Sequence, residues 1–252
     1  IRIGGITMSR VYVIGGANID IQGYSHKPLM FQDSNVGSVS YSYGGVARNI
    51  AENLVLLQDK VSFISAIGQD VFGENMYQYC EHIGMDMSNC IRPKCNTSIY
   101  LAIMDNKNDM ALAINDMAIL EHIDYKLLDK VFAKIHPDDV MVMDTNLEEK
   151  MITYMLEKCP CPIYLDPISS IKAKKAIHHL ANVYMLKPNR LEAEAMSGIY
   201  LGDKENYVKC LDYFLEQGVN EVVISLGKEG VIATNGKQKV WIRHAFVEMK
   251  NA

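Results

Sequence analysis

The feature that most constrains this chain is an alternation. Short, apolar, β-rich runs take turns with longer runs of helical period from Val11 to Gly227. That order predicts an α/β fold with a largely parallel sheet. The strand runs are VYVIGG (Val11 to Gly16), VSFISAIG (Val61 to Gly68), VMVMD (Val140 to Asp144), PIYLD (Pro162 to Asp166), VYMLK (Val183 to Lys187) and EVVISLG (Glu221 to Gly227). Between them, VARNIAENLVLL places Val46, Ile50, Leu54 and Leu57 along one helical face. VFGENMYQYCEHIG reads as a helix that stops at Gly84, and KENYVKCLDYFLEQG as one closed by Gly218. GVIAT and KVWIR predict a late hairpin.

Two segments break the alternation. TSIYLAIMD and MALAIND flank NKND and predict a hairpin rather than a crossover. Ile21 to Tyr43 is polar and irregular and ends in the alternating SVSYSYG. Together, about 21–43 and 96–116, they predict a small β lid beside the main sheet. No internal repeat or low-complexity linker divides the chain, so a single domain over 1–252 is expected.

Bulk properties narrow the partners. The 252 residues are 49% hydrophobic and 22% charged, enough for a substantial core. A net charge of -5 argues against a nucleic-acid or anionic-membrane partner. No window approaches the about 18 uninterrupted apolar residues of a membrane helix. The opening IRIGGITMSR lacks the apolar core of a secretory signal, and Met8 offers an alternative native start. Cys80, Cys90, Cys95, Cys159, Cys161 and Cys210 read as reduced thiols of a cytoplasmic protein. Cys159-Pro-Cys161 has no second Cys/His set to complete a zinc site, so structural thiols are expected there.

Ligands of open α/β sheets bind beyond the carboxyl ends of the strands. Asn18 and Asp20 follow the first strand; two apart, they suit a vicinal diol, or form a simple turn. Gly44-Gly45 permits close approach of a ligand at a helix start, or merely eases the turn. Arg48 sits in that first turn, poorly matched to the helix dipole, and reads as a surface arginine or as one with a partner in the lid or substrate. Asp144-Thr145-Asn146 and Asp166-Pro167 are polar strand tips. Asn189 with Glu192 reads as a capping box, or as a carboxylate serving a magnesium-bound water. SLGKEG passes near nucleotide phosphates or turns tightly. Neither G-x-x-x-x-G-K-[ST] nor a strand-linked G-x-G-x-x-G occurs.

The series GGANID, GGVARNIAENL, AIGQDVFGE, lid hairpin, LDP, KPNRLEAE and SLGKEG resembles the ribokinase-like (PfkB) carbohydrate and nucleoside kinases along almost the whole chain. GYSH, DSNVG, NTSIYLA, AINDM and LKPNRLEAEAMSGI are similar to the subgroup that phosphorylates pseudouridine. The resemblance implies a three-layer sandwich with a mostly parallel central sheet and a β lid. It implies ATP-dependent phosphorylation of a nucleoside 5′-hydroxyl, pseudouridine first. Ribose, adenosine or a non-catalytic nucleoside-binding role are the alternatives.

Carried over by residue, the resemblance gives Asn18, Asp20, Gly44, Gly45 and Asn49 to the sugar, with Asn146 near the substrate. Thr97, Ser98, Asn115 and Asp116 in the lid are candidate readers of the base. Lys187, Asn189, Ser225, Gly227 and Gly230 are expected at ATP, and Glu192 at Mg2+ through water. A monovalent cation such as K+ and a homodimer through the lid are further expectations. The family's G-A-G-D, which carries the general base, would follow VEMKNA. It is expected beyond Ala252, so the chain as given is expected to be incomplete at its C-terminus and unable to catalyse efficient transfer.

Overall fold

Apolar alternation becomes paired strands from Val11 onward in the computed structural model, which describes residues 9–243. Met8 and the VEMKNA segment lie outside the described residues. The chain divides between Val131 and Phe132 into two compact units.

The first unit contains β1 (Val11–Ile14), β2 (Asn18–Ser25), β3 (Gly37–Gly44), α1 (Val46–Leu56), β4 (Val61–Ile64), α2 (Val71–His82), β5 (Ser98–Met104) and β6 (Met110–Asp116), and ends inside α3 (Tyr125–Phe132), one residue before its last. β1 and β4 pair in parallel, with Val13, Ile14, Phe63 and Ile64 excluded from solvent. The segments expected to form a lid make a separate four-stranded sheet in the order β3-β2-β5-β6. Its β5–β6 hairpin is the one expected around NKND, with an irregularity at Ile103/Met104.

Three local expectations change. Asn18–Asp20 is not a turn but the start of β2, held by ladders to β3 and β5, with Ile19 fully buried. The segment from Ile21 is therefore a regular strand as far as Ser25. In α1 the buried residues are Ala47, Arg48 and Ala51, whereas Val46, Ile50 and Leu54 are half-buried and Leu57 is exposed. Two alanines let α1 pack closely on β1 and β4, so the bulky residues flank the contact instead of forming it. VSFISAIG leaves the β1 ladder after Ile64, but Ala66 and Ile67 stay buried, and Ser65 O and Ile67 N bond to the backbone of Ile91.

The second unit contains β7 (Val140–Asp144), α4 (Glu149–Lys158), β8 (Ile163–Asp166), α5 (Ser170–Ala173), β9 (Met185–Leu186), α6 (Arg190–Ser197), α7 (Lys204–Glu216), β10 (Glu221–Ser225), β11 (Val231–Thr234) and β12 (Lys239–Ile242). β7, β8, β9 and β10 are successive parallel neighbours. β11 and β12 add the expected antiparallel hairpin. Met141, Met143, Ile152, Met155, Leu186, Phe214, Val222 and Ile224 form a core closed to solvent. Parallel pairing brings the carboxyl ends of these strands to one edge, so 144–147, 166–167, 187–189 and 225–230 share it. VYMLK contributes only two residues to the ladder. Among the described residues no helix is long and apolar enough to cross a membrane.

Candidate functional site

In the first unit the register of the lid decides which side chains meet. Paired residues on neighbouring strands share a face, and consecutive residues alternate. Gly44, Asn18 and Ser98 form one row. Ser42, Asp20, Tyr100 and Asn115 form the next row on the same face. Asp116 pairs with Ile99 and so points to the opposite face. Of the two consecutive lid candidates, only Asn115 shares a face with the diol candidates.

Asn18 Nδ2 donates to Asp20 Oδ1 at 2.6 Å. Burial raises the Asp20 carboxyl above its ordinary range, against the hydrogen bond from Asn18 and the charge of Arg48, which lower it. Asp20 also lies against Gly44. Gly45 has φ +97°, and a Cβ there would sit 2.3 Å from Gly16 O. Only glycine tolerates both demands, and no side chain caps α1 behind it.

Arg48 is 3% exposed and is not a surface residue. Its guanidinium donates to Gly44 O at 2.9 Å, to Tyr43 O at 2.8 Å and to Asn49 Oδ1, and pairs with Glu52 at 2.8 Å. It therefore binds the end of β3 to the start of α1 around the glycine pair. Asn49 is exposed beside it. Thr97 is buried: its hydroxyl accepts from Gly68 N and donates to Asp70 Oδ1, and its amide donates to Asp70 Oδ2. That network caps α2 through Asp70 and Gly73 N. Ser98 is 1% exposed, and among the described residues its hydroxyl has no partner.

In the second unit Asn189 and Glu192 form a complete capping box on α6. Glu192 Oε2 accepts from Asn189 N at 2.8 Å and Oε1 from Asn189 Nδ2 at 2.6 Å. Burial raises the Glu192 carboxyl; the hydrogen bond from Asn189 N lowers it, the Asp166 charge raises it, and Lys187 lowers it. Lys187 Nζ pairs with Asp166 at 2.9 Å. An isolated bridge joins Asn189 to Ser225, and Ser225 N donates to Pro188 O at 3.0 Å. Gly227 and Gly230 then turn the chain with φ +60° and +93°. The five ATP candidates thus fall on two adjoining loops.

Asn146 is held by Asp144 through its amide and Nδ2, and its Oδ1 accepts from Lys172 Nζ at 2.5 Å. Burial lowers the Lys172 ammonium, while Asp144 acts to raise it. Lys172, Tyr100 and Ser42 were absent from the sequence candidates. Period-2 counting along SIYLA would have linked Tyr100 to Ser98. Nothing local marks Lys172 among the lysines of IKAKK.

Among the described residues no group of three or more His, Cys, Asp and Glu side chains gathers to hold a metal directly. Glu192 and Asp166 already have protein partners, and as two neighbouring carboxylates they suit a hard cation bound through water.

Residues 8–250 match the family described as pfkB family carbohydrate kinase. The chain belongs to this family. Pseudouridine kinase of Escherichia coli K12 is 40% identical over 223 residues, 88% of this chain and 71% of that protein. The uncharacterized sugar kinase YeiI of the same organism is 32% identical over 221 residues, 87% of this chain and 61% of that protein. A putative sugar kinase from Clostridium perfringens superposes with a TM-score of 0.82 at 30% identity, covering 96% of this chain and 78% of that one. The PfkB chain thus has the α/β, ribokinase-like fold that its motif order implied.

Proposed function

We propose that this PfkB chain serves an ATP-dependent kinase that phosphorylates the 5′-hydroxyl of a nucleoside, with pseudouridine as the acceptor. One observation carries the reading. The Asn18–Asp20–Gly44 cluster continues on the same lid face into Tyr100 and Asn115. A diol-binding carboxylate with an aromatic ring and a carboxamide beyond it suits a ribose bearing a base better than a bare sugar. The likeness to pseudouridine kinase supports the same acceptor.

Phosphoryl transfer needs positioning and charge stabilisation more than covalent help. In this reading Asp20 accepts from the ribose hydroxyls, Asn18 holds the Asp20 carboxylate, and the Gly44-Gly45 backbone allows the sugar close. Asn49 adds a hydroxyl contact from the exposed start of α1. Asn115 reads the ring N–H that pseudouridine has and uridine lacks. A site built to bond that edge rejects an analogue without it. Asn146, with Lys172 on its Oδ1, supplies polar contact at the end of β7.

The Asn189 and Ser225–Gly230 loops, with Lys187, receive ATP. Glu192 would hold a Mg2+ ion through water, and the bound ion would supply neutralisation of charge on the transferred phosphoryl group. No described side chain is given the role of general base. The apolar lid face bearing exposed Val39, Tyr41, Leu112 and Ile114 would pair with a second copy.

The test is an ATP-coupled assay of the full-length protein with pseudouridine, uridine, ribose and adenosine. Preference for pseudouridine supports the reading, preference for ribose or adenosine moves it to another acceptor within the family, and no turnover of any of them refutes it.

A further inference from the structure

Neither Cys159 nor Cys161 is among the candidate site residues. They bracket Pro160 where α4 gives way to β8. Cys159 is the C-cap of α4, with φ -61° and ψ 129°, and its amide bonds to Met155 O at 2.9 Å. Cys159 is half-buried and Cys161 is 7% exposed. Their sulfurs stand 3.7 Å apart and share a hydrogen bond. Cys90 and Cys210, by contrast, direct their thiols to Phe63 O and Ser197 Oγ. Pro160 fixes its own φ, so the connector has little freedom to carry the two sulfurs apart.

We infer that Cys159 and Cys161 form a dithiol that hydroperoxides close to an intramolecular disulfide. The two thiols are unequal, which assigns their roles. The hydrogen bond between the two sulfurs pulls the Cys159 thiol down, against burial that pushes it up. The same bond, with burial, pushes the Cys161 thiol far up. Thiolate is the reactive form and Cys159 is the more exposed of the two sulfurs, so Cys159 reacts first and the buried Cys161 resolves.

In the first step Cys159 sulfur attacks the terminal oxygen of the hydroperoxide. The O–O bond breaks, leaving a sulfenic acid on Cys159 and releasing an alcohol, or water from hydrogen peroxide. Cys161 sulfur then attacks Cys159 sulfur, and the sulfenic hydroxyl leaves as water with the Cys161 proton. Two thiols and one hydroperoxide give one disulfide, one alcohol and one water, with two electrons passing from sulfur to oxygen.

Closure draws the sulfurs from 3.7 Å to about 2.05 Å. A bridge across one residue closes a very short loop and restrains the unfolded chain little. Its role is therefore chemical, and reversal by a thiol reductant is expected. The pair lies at the amino-terminal end of β8, the end opposite Asp166. Oxidation there should leave kinase activity within about twofold, because neither sulfur touches a candidate site residue.

The experiment treats the reduced full chain with hydrogen peroxide, alkylates the remaining thiols and maps tryptic peptides by mass. Both sulfurs lie on one peptide, 159–172, while exposed Cys95 provides an internal reference. The expected result is loss of two hydrogens from peptide 159–172, restored by dithiothreitol, at doses that leave most Cys95 alkylatable. Cys161→Ser should accumulate a dimedone-reactive sulfenic acid at Cys159, and Cys159→Ser should leave Cys161 reduced. The inference is overturned if peptide 159–172 stays reduced while Cys95 oxidises. It is equally overturned if Cys159 proceeds to sulfinic acid in the unmutated chain without bridging. Neither outcome depends on the nucleoside reading.

Discussion

Gly44 leaves room for Asp20: a Cβ at position 44 would fall 2.1 Å from Oδ2 of Asp20 and 2.5 Å from its Cγ. The glycine is thus required by a side chain on the neighbouring strand as well as by any ligand. Gly44→Ala must push the carboxylate off its place. Displacement of a positioning group by an ångström costs up to about a hundredfold, so the KM for the nucleoside should rise by roughly ten- to a hundredfold. The KM for ATP should stay within about twofold, since the ATP candidates are on other strands. Steady-state kinetics with each substrate varied separately check this, and an equal rise in both constants would falsify it.

Asp20 should cost the fold something for what it offers a substrate. Burial raises its carboxyl despite Asn18 and Arg48. A carboxyl raised in the folded state binds more protons folded than unfolded, so stability falls as pH rises through the folded value. Asp20→Asn removes that titration. The variant should be more stable than the parent at neutral pH, and its advantage should shrink as pH drops below the raised folded value toward about 4. Its turnover of nucleoside should fall sharply. Denaturant unfolding between acid and neutral pH gives the first quantity, and a constant difference across that range rejects the account.

The lid register separates two neighbouring candidates. Asn115 shares its row with Asp20, while Asp116 faces the other way and accepts from Ala118 N at 3.3 Å. Asn115→Ala should reduce the preference for pseudouridine over uridine by roughly tenfold, the order of one lost specific hydrogen bond. Asp116→Ala should leave that preference within about twofold. A competition assay with both nucleosides reads the ratio directly, and the reverse pattern would exchange the roles of the two faces.

Arg48 is a buried cation with one carboxylate partner and three oxygen acceptors besides. Removing one partner of such a pair leaves a buried charge uncompensated. Arg48→Met should therefore destabilise the protein by roughly 3 kcal/mol, the low end for buried pairs because Glu52 retains some solvent. Arg48→Lys keeps the charge but loses the planar fork that spans Tyr43 O, Gly44 O and Glu52, and should recover only part of that loss. Urea unfolding measures both. Stability equal to the parent in Arg48→Met would show that β3 and α1 hold together without it.

Glu192 serves a capping box whether or not it serves a metal. Glu192→Gln keeps an acceptor for Asn189 N and should cost no more than about 1 kcal/mol of stability. If Glu192 also holds water around magnesium, the Mg2+ concentration for half-maximal velocity should rise by roughly tenfold in the same variant. Glu192→Ala should lose both stability and magnesium response. A Mg2+ titration of the Gln variant indistinguishable from the parent leaves Glu192 as a cap alone.

By itself the sequence determined the class of fold and the family. Alternation of β-rich and helical runs reflects burial of a sheet between helices, and that periodicity is written locally. Gly44-Gly45, Asn189-x-x-Glu192 and SLGKEG are likewise short-range patterns, legible before any packing. The tertiary structure decided what those residues touch. Asn18–Asp20 looked like a turn until β3 and β5 supplied ladders on both sides of it. Arg48 looked exposed until Tyr43, Gly44 and Glu52 closed around it. Thr97 was a candidate reader of the base until Asp70 took its hydroxyl and amide. Asn115 and Asp116 looked equivalent until pairing with Tyr100 and Ile99 set them on opposite faces. Each of these outcomes depends on a partner brought in by strand register or helix packing, and residue identity encodes neither until the chain has folded.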